Sequence, residues 1–338
     1  MIRRGVLLLL LASFVLLSVS LGQVQPEAQL QGDPLPSWTD RPAKKALLEF
    51  VRAVTDKTSP KYVPPAKRIA TFDNDGTLWA EQPLYAQVKF ALDRVKALES
   101  QHPDWKSKEP FKAILTGDRE GMSKFTKKDL IEIMVATHAG MDSQQFHVIA
   151  KNWLATAKHP RFKRPYTECV YQLMLEVMKY LRANGFKTYI VTGGGQAFVR
   201  AFSENTYGIP PEQVIGSATK LKYTYRDGSP VMMRLPALLL LDDEEGKPED
   251  IELFIGQKPL AAFGNSDGDR QMLEWTQSGP GARFMMLIHH DDAEREYAYG
   301  AKSKIGTFSD ALMTEANKRG WIVTSMKSDW KQIFSFEK

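Results

Sequence analysis

Short apolar, β-branched runs alternate with amphipathic helical runs over most of this chain, and this alternation constrains the fold more than any other feature. Strand-like runs occur at residues 67–72, 187–191, 213–217, 260–263 and 283–288, with helical periodicity between them. Strands that alternate with helices pack into a parallel sheet with helices on both faces. Such sheets bind ligands beyond the carboxyl ends of their strands. We therefore predict an α/β protein with its site at that edge.

One long segment departs from this alternation. Residues 80–160 show mostly helical periodicity with no convincing strand, and they fall between the first and second strands of the predicted sheet. An insertion at this point can cover the edge where the strands end. The pattern predicts a helical cap domain at 80–160 and a core domain formed by 38–79 and 161–338.

Turn and stop signals place further elements in the core. A helix is predicted over 167–183 because Asn184-Gly185 follows it. A second helix is predicted over 196–205. Residues 221–235 have the pattern of a β-hairpin with Asp227-Gly228 at its turn.

The N-terminal segment has the layout of a secretory signal peptide. Arg3 and Arg4 precede an apolar run over 6–21, which ends in a small-x-small pattern. Cleavage of residues 1–22 predicts an exported protein, periplasmic or secreted, with no remaining membrane span. A retained membrane anchor is the alternative, because the run is nearly long enough to cross a bilayer. The polar residues 23–37 predict a flexible lead-in.

Charge and cysteine content exclude several classes of function. The formal net charge is +5, and the basic residues are interspersed with acids rather than clustered, so we expect no nucleic-acid partner. The weak positive bias favours anionic ligands. Cys169 is the single cysteine, so neither an intramolecular disulfide nor a cysteine-based metal site is possible. Its helical surroundings predict a buried, inert thiol.

The most informative polar cluster directly follows the first predicted strand. Asp73 and Asp75 lie two residues apart, and Gly76 permits the turn that brings both carboxylates to one point. Like charges this close are unfavourable unless they share a cation or a proton. Mg²⁺, which prefers oxygen ligands, suits this pair.

Three other polar clusters end predicted strands. Residues 192–195 (TGGG) offer a hydroxyl and main-chain N–H groups before a helix, an arrangement that binds anions. Residues 264–269 (GNSDGD) add acidic side chains at the same edge. Residues 289–292 (HHDD) are interpreted as a solvated loop.

The run FDNDGTL at residues 72–78 resembles the DxDGT signature of the haloacid dehalogenase (HAD) superfamily, and the resemblance covers about residues 68–272. It implies a Rossmann-like parallel sheet with an inserted, mainly helical cap. It also implies that Asp73 is a nucleophile that becomes transiently phosphorylated. Asp75 would then be the general acid that protonates the leaving alcohol and the base that activates water.

The remaining family motifs imply a phosphate site. Thr192 and the Gly193 amide match the second motif and would bind phosphate oxygens. The third motif is a lysine with no local signature. Lys247 is the best match, because it opens the helix before the strand of the fourth motif, while Lys258 and Lys220 are rivals.

The fourth motif departs from the family pattern. Asp269 matches its second acid, but Asn265 stands where the first acid is typical. The resemblance implies a Mg²⁺ ion held by Asp73, Asp75 and this loop, with Asn265, Asp267 and Asp269 as its candidate ligands. An amide oxygen can ligate Mg²⁺ but contributes no charge, and Asp267 could supply it instead.

The cap resembles that of the phosphoserine phosphatase and phosphorylcholine phosphatase branch, which implies substrate contacts at Glu81, Gln82 and Tyr85. The sequence thus predicts a Mg²⁺-dependent phosphatase that acts on a small phosphorylated metabolite through an aspartyl-phosphate. Two alternatives stay open. One is a haloacid dehalogenase, which needs no second acid at Asp75. The other is an exported, non-catalytic binding protein on a HAD scaffold, which Asn265 favours.

Overall fold

A seven-stranded sheet organises the computed structural model, which describes residues 32–337. Its strand order is β4-β3-β2-β1-β5-β6-β7, and every neighbouring pair is parallel except the antiparallel pair β3 and β4. The predicted α/β sheet is therefore present. The strands are β1 (Ile69–Phe72), β2 (Lys187–Gly195), β3 (Val214–Arg226), β4 (Ser229–Leu240), β5 (Ala261–Gly264), β6 (Phe284–His289) and β7 (Ile322–Ser325).

Helices fill the connections between these strands and form the insertion after β1. They are α1 (Pro42–Thr55), α2 (Ala86–Leu98), α3 (Phe111–Thr116), α4 (Arg119–Ser123), α5 (Lys127–His138), α6 (Ser143–Thr156), α7 (Gln172–Ala183), α8 (Gln196–Val199), α9 (Ser203–Tyr207), α10 (Gly246–Ile255), α11 (Arg270–Gln277), α12 (Asp310–Arg319) and α13 (Met326–Asp329).

The central parallel strands β1, β5 and β6 are buried on both faces, as a parallel sheet requires. Along β6, Met286 and Ile288 join one hydrophobic cluster, while Met285 and Leu287 join another on the opposite face. This follows from the two-residue period of a strand. Helices α1 and α7 pack in the first cluster, and α10, α11 and α12 pack in the second.

The insertion after β1 is helical, in the place predicted for a cap. Helices α2 to α6 lie within residues 80–160, and side chains from α2, α3 and α5 form a hydrophobic cluster of their own. The β3–β4 hairpin joins this unit: Arg234 exchanges main-chain hydrogen bonds with Gly140 and Met141, between α5 and α6. The sequence indicated the hairpin and its Asp227-Gly228 turn but not this contact.

Three predicted segments differ from the structure. Helix α7 begins at Gln172 rather than at residue 167, because Cys169 and Tyr171 form main-chain hydrogen bonds with the chain at residues 78–80. The predicted flexible lead-in does not hold for residues 33–37, where Leu35 is fully buried. The predicted helix over 196–205 is divided into α8 and α9.

The predicted signal peptide, residues 1–22, lies outside the described residues, so export stays a prediction. Between residues 32 and 337, no helix is both long enough and apolar enough to cross a membrane. Cys169 is buried, and this burial raises the pKa of its thiol to about 12. The thiol is therefore neutral and a poor nucleophile at physiological pH.

Candidate active site

The carboxyl ends of three adjacent strands bring the polar clusters together. Asp73 follows β1, Thr192 lies near the end of β2, and Asn265 follows β5. Strand β1 pairs with β2 on one side and with β5 on the other, so these ends are neighbours. The Asp73 N–H donates to the Phe263 carbonyl at 2.9 Å, which continues the ladder into the site.

A buried lysine connects two of these clusters. Lys247 lies at the start of α10 and is only 2% exposed. Its Nζ donates to Asp73 Oδ1 at 2.7 Å, to Asp269 Oδ1 at 2.6 Å and to the Val191 carbonyl at 3.0 Å. One ammonium group thus contacts the predicted nucleophile and the fourth-motif loop at once.

The two rival lysines lie elsewhere. Lys220 is exposed on β3, and Lys258 donates to the Ser278 hydroxyl at 2.7 Å. Of the three candidates, the structure therefore brings Lys247 to Asp73.

Burial and charge oppose each other at this ion pair. Burial raises the pKa of Asp73 well above its usual range, against the lowering effect of Lys247. Burial also opposes the charge of Lys247, but the carboxylates of Asp269 and Asp73 outweigh it and raise the pKa of the ammonium. The lysine therefore stays protonated, and it can neutralise negative charge that forms on Asp73.

Asp75 has a distinct environment from Asp73. The indole N–H of Trp79 donates to Asp75 Oδ1 at 2.8 Å, and burial raises the pKa of Asp75. Gly76 adopts a φ of 75°, and a Cβ there would clash with Asn265 Nδ2. The turn therefore needs glycine both for its backbone angle and for the close approach of the loop after β5.

Asn265 lies in a network of buried polar groups. Its Oδ1 accepts from the Thr77 hydroxyl at 2.9 Å, and its Nδ2 donates to Glu81 Oε1 at 2.8 Å. The Tyr299 hydroxyl donates to the same Glu81 oxygen at 2.6 Å. Burial raises the pKa of Glu81 well above its usual range. Position 265 lacks the acid that the resemblance leads one to expect, but the Glu81 carboxyl group contacts the Asn265 amide nitrogen.

The acids of the fourth-motif loop hold the loop together. Asp269 Oδ2 accepts from the main-chain N–H groups of Asn265 and Ser266 at 2.9 and 3.0 Å, and its other oxygen contacts the buried ammonium. Asp267 Oδ1 accepts from the Ser309 hydroxyl at 2.9 Å. These contacts give Asp267 and Asp269 structural partners, where the sequence predicted metal ligands.

Acidic and histidine side chains do not form a dense cluster here. Within residues 32–337, no group of three or more His, Cys, Asp or Glu side chains is arranged to hold a metal ion. A cation at this rim would therefore depend on few carboxylates, together with main-chain and amide oxygens.

The phosphate loop predicted at TGGG leaves the sheet ladder. The β2–β3 register shifts between Thr192 and Gly195, so Gly193 and Gly194 have no partner residues on β3. Thr192 Oγ1 accepts from the Gly194 N–H at 3.1 Å. The loop thus places a buried hydroxyl and a local excess of main-chain polar groups beside Asp73.

A chain of hydrogen bonds joins this loop to the cap. The Gly195 N–H donates to Gln87 Oε1 at 2.6 Å, and Gln87 Nε2 lies 3.1 Å from His138 Nε2. His138 Nδ1 lies 2.8 Å from the Thr137 hydroxyl, which donates to the Ile133 carbonyl at 2.8 Å. Because the Gln87 amide must donate, His138 Nε2 accepts and Nδ1 carries the proton. His138 is therefore neutral.

This histidine should make the protein acid-sensitive. Burial, with the charges of Arg234 and Arg94, lowers the pKa of His138 to about 3. Its stabilising contribution is complete above the unfolded pKa of about 6.5 and is lost as the pH falls toward the folded value. Acidification from pH 7 to pH 4 should lower the free energy of unfolding of wild type by about 3 kcal/mol more than that of His138→Gln.

Urea denaturation of both proteins at the two pH values measures this difference. The His147→Gln variant, on the neighbouring helix, controls for the removal of a cap histidine. Equal acid sensitivity of wild type and His138→Gln would contradict the neutral, buried assignment.

A cavity of about 280 Å³ lies above these groups. Asp73, Asp75, Thr192 and Lys247 line it, together with side chains of α2, α5 and β4. A cavity of this size accommodates a small molecule and places it against the predicted nucleophile.

Of the three predicted substrate residues, Glu81 and Tyr85 line this cavity and Gln82 does not. The Gln82 side chain donates instead to the Ser303 hydroxyl at 3.1 Å and to the Ile305 carbonyl at 3.0 Å. A direct substrate contact by Gln82 is therefore not supported, because its amide holds the chain at 303–305.

The HHDD run is not wholly a solvated loop. His290 is buried, and its Nε2 lies 2.8 Å from the Gly76 carbonyl of the first motif. Its Nδ1 lies 3.3 Å from Glu296 Oε2. His290 therefore supports the turn after β1, a role that the sequence interpretation missed.

The sequence profile of the haloacid dehalogenase-like hydrolases matches residues 70–274, a span that contains Asp73, Thr192, Lys247 and the 264–269 loop. This chain belongs to that family. The predicted family, its α/β fold and its hydrolase class are thereby confirmed. No curated protein is similar enough in sequence to count as a match.

Solved structures resemble this HAD hydrolase at low sequence identity. A functionally unknown protein from Anaerococcus prevotii DSM 20548 gives a TM-score of 0.53 at 16% identity, over 86% of this chain and 94% of its own. A protein of unknown function from Bordetella pertussis Tohama I gives 0.47 at 17% identity, over 76% and 97%. A substrate-bound phosphoserine phosphatase gives 0.35 at 16% identity, over 75% and 97%. At these identities the likeness concerns the fold alone.

Proposed function

We propose that this HAD hydrolase cleaves small phosphomonoesters through a phosphorylated Asp73, with Mg²⁺ as its cofactor. The observation that supports this most is the buried Asp73–Lys247 ion pair, which lines a cavity together with Thr192 and Asp75. A carboxylate can attack a phosphoryl group only where nearby positive charge offsets the repulsion between the two anions. The ammonium supplies part of that charge.

The oxygen atoms at this rim suit Mg²⁺. Asp73 Oδ2 and the Asp75 main-chain carbonyl accept no hydrogen bond from residues 32–337, and Asn265 Oδ1 adds a neutral oxygen. Mg²⁺ usually keeps several waters and needs only one or two carboxylates, so a dense acidic cluster is not required. When bound, the ion would neutralise charge on the transferring phosphoryl group. We propose these three ligands and leave Asp267 and Asp269 in their structural roles.

The two aspartates divide the reaction. Asp73 attacks phosphorus, the bond from phosphorus to the ester oxygen breaks, and Asp75 gives its proton to the departing alcohol. Asp75 then takes a proton from water, which attacks the aspartyl-phosphate and releases phosphate. The raised pKa of Asp75 favours its protonated form before the first step, and the Trp79 N–H orients its carboxyl group. The cap excludes bulk water from the intermediate.

The alternatives receive less support. A dehalogenase needs no acid at position 75, yet Asp75 is held beside Asp73 by the Trp79 indole. A non-catalytic binding protein was favoured by Asn265. Asn265 still presents an oxygen atom at this rim, and its Nδ2 donates to Glu81, which fixes the orientation of the amide.

Removal of the metal should abolish most activity. With para-nitrophenyl phosphate, EDTA should lower the initial rate roughly 100-fold or more, because a bound cation provides several kcal/mol of transition-state stabilisation. Excess MgCl₂ should restore the rate. Turnover that is insensitive to EDTA would contradict the metal assignment. Absence of turnover with any phosphomonoester, together with tight ligand binding, would favour the binding protein.

A further inference from the structure

One charged side chain in the cavity wall has no counter-ion. Arg234, on β4, is only 8% exposed. Its Nε donates to the His138 carbonyl at 2.9 Å, and its guanidinium carbon lies 4.5 Å from the centre of the Phe146 ring. Neither Nη atom donates a hydrogen bond, and no carboxylate forms a salt bridge with Arg234, among residues 32–337. Several strong donors are therefore left for a ligand.

The other charged groups at this cavity have partners. Lys127 pairs with Asp243 at 2.8 Å, and the ammonium of α10 pairs with two aspartates. Asp142, which lies where the cap contacts the β3–β4 hairpin, is already paired with Arg226 at 2.7 Å. Burial of an unpaired guanidinium is costly, and this burial lowers the pKa of Arg234. An anion that enters the cavity would remove this cost.

The position of this guanidinium is fixed by the fold. The Arg234 N–H donates to the Met141 carbonyl at 2.9 Å, and the Arg234 carbonyl accepts from Gly140 at 3.0 Å. The β4 strand therefore presents the side chain from the cap side of the cavity. Aliphatic side chains make up much of the wall: Val88, Leu130, Ile131, Met134, Val135 and Leu238.

We propose that the preferred substrate is a phosphomonoester whose leaving group has an apolar body and ends in a second anion, a carboxylate or a phosphate, which pairs with Arg234. This inference rests on the proposed phosphatase function and names its substrate class. The geometry assigns the scissile phosphate to Asp73 and the second anion to the guanidinium. A bidentate Arg–carboxylate or Arg–phosphate contact explains the unused Nη donors.

Three esters that differ only at the remote end test the proposal. They are para-carbamoylphenyl phosphate, para-carboxyphenyl phosphate and para-(phosphonomethyl)phenyl phosphate, whose phosphonate cannot be hydrolysed. Wild type should favour the anionic esters over the neutral amide by roughly 10-fold or more in kcat/KM. One charge-assisted hydrogen bond stabilises a complex enough to produce a difference of this size. The carboxylate and phosphonate arms show which anion is preferred.

In Arg234→Gln, the ratio of kcat/KM for the anionic esters to kcat/KM for the neutral amide should fall to nearly one. Lys222→Gln, which removes an exposed charge from the same hairpin, should keep the wild-type ratio. The ratio within each variant is independent of the fraction of folded enzyme. An equal preference in wild type and Arg234→Gln, or no preference in wild type, overturns the proposal.

Binding of the products separates this proposal from the phosphatase function. Calorimetry compares para-hydroxybenzoate with para-hydroxybenzamide on wild type and Arg234→Gln. If no ester is hydrolysed but wild type alone favours the benzoate, the subsite stands and the phosphatase function fails. If esters are hydrolysed without any effect of Arg234 on either readout, the subsite fails alone.

Discussion

Replacement of Asp73 by asparagine should lower kcat on para-nitrophenyl phosphate roughly 10³-fold or more. The amide nearly matches the carboxylate in shape but is a very weak nucleophile, and it removes the charged partner of Lys247. Because substrate still meets Thr192 and the remaining cavity wall, the loss should appear mainly in kcat. Steady-state kinetics in MgCl₂ measure both parameters.

Asp227→Asn is the matched control, since it makes the same chemical change at the exposed hairpin turn, where φ is 49° and asparagine is tolerated. It should keep wild-type kinetics. Wild-type turnover by Asp73→Asn would remove this residue from the nucleophile's role and leave the proposed mechanism without its first step.

Lys247→Met should destabilise the protein by about 3–5 kcal/mol and also remove most activity. Methionine has a similar length but cannot pair with Asp73 and Asp269, so two carboxylates would remain buried beside each other without a cation. Removal of one partner of a buried ion pair destabilises a protein more than replacement of both partners by apolar groups, because it leaves a buried charge unpaired. Urea denaturation in EDTA measures the loss, because EDTA removes any metal that could compensate.

A double variant identifies the cause. Lys247→Met combined with Asp269→Asn should recover part of the lost stability, since one buried charge is removed. Lys220→Met, at an exposed position on β3, is the matched control and should change stability little. Equal stability of Lys247→Met and wild type would contradict the buried ion-pair assignment.

Sequence order alone located much of this site. Asp73 and Thr192 follow strand patterns whose ends must meet if the sheet is parallel. Lys247 has no local signature, and only its place before the fourth-motif strand distinguished it from Lys220 and Lys258. Its contact with Asp73 depends on the start of α10 and the end of β1 lying at the same rim.

The cap side of the site was beyond prediction. Gln87, His138 and Arg234 lie far apart in sequence, and the residues around each of them give no sign of a role in the site. Their contacts arise only when α2, α5 and β4 pack over the loop at Gly195. A single sequence carries no signal of such packing, because hydrophobic periodicity indicates which face of a helix is buried but not what covers it.

The fold prediction failed where main-chain pairing replaced a local preference. Residues 167–171 have helical periodicity, but only a 3-10 turn forms at Tyr166–Glu168, and Tyr171 donates its N–H to the Leu78 carbonyl beside the first motif. Similarly, polar composition suggested flexibility up to residue 37, but the Ser37 hydroxyl donates to Glu176 at 2.6 Å. Tertiary hydrogen bonds outweigh the few tenths of a kcal/mol per residue that local propensity contributes.

Trapping of the phosphoenzyme tests the central claim most directly. In Asp75→Asn, para-nitrophenolate leaves without a proton, so Asp73 can still be phosphorylated, but water is no longer activated. Acid-quenched Asp75→Asn should yield a peptide in which Asp73 carries one phosphoryl group that hydroxylamine removes, and the Asp73→Asn/Asp75→Asn variant should yield none. Hydrolysis in which phosphate never resides on Asp73, or resides on another residue, would contradict the account.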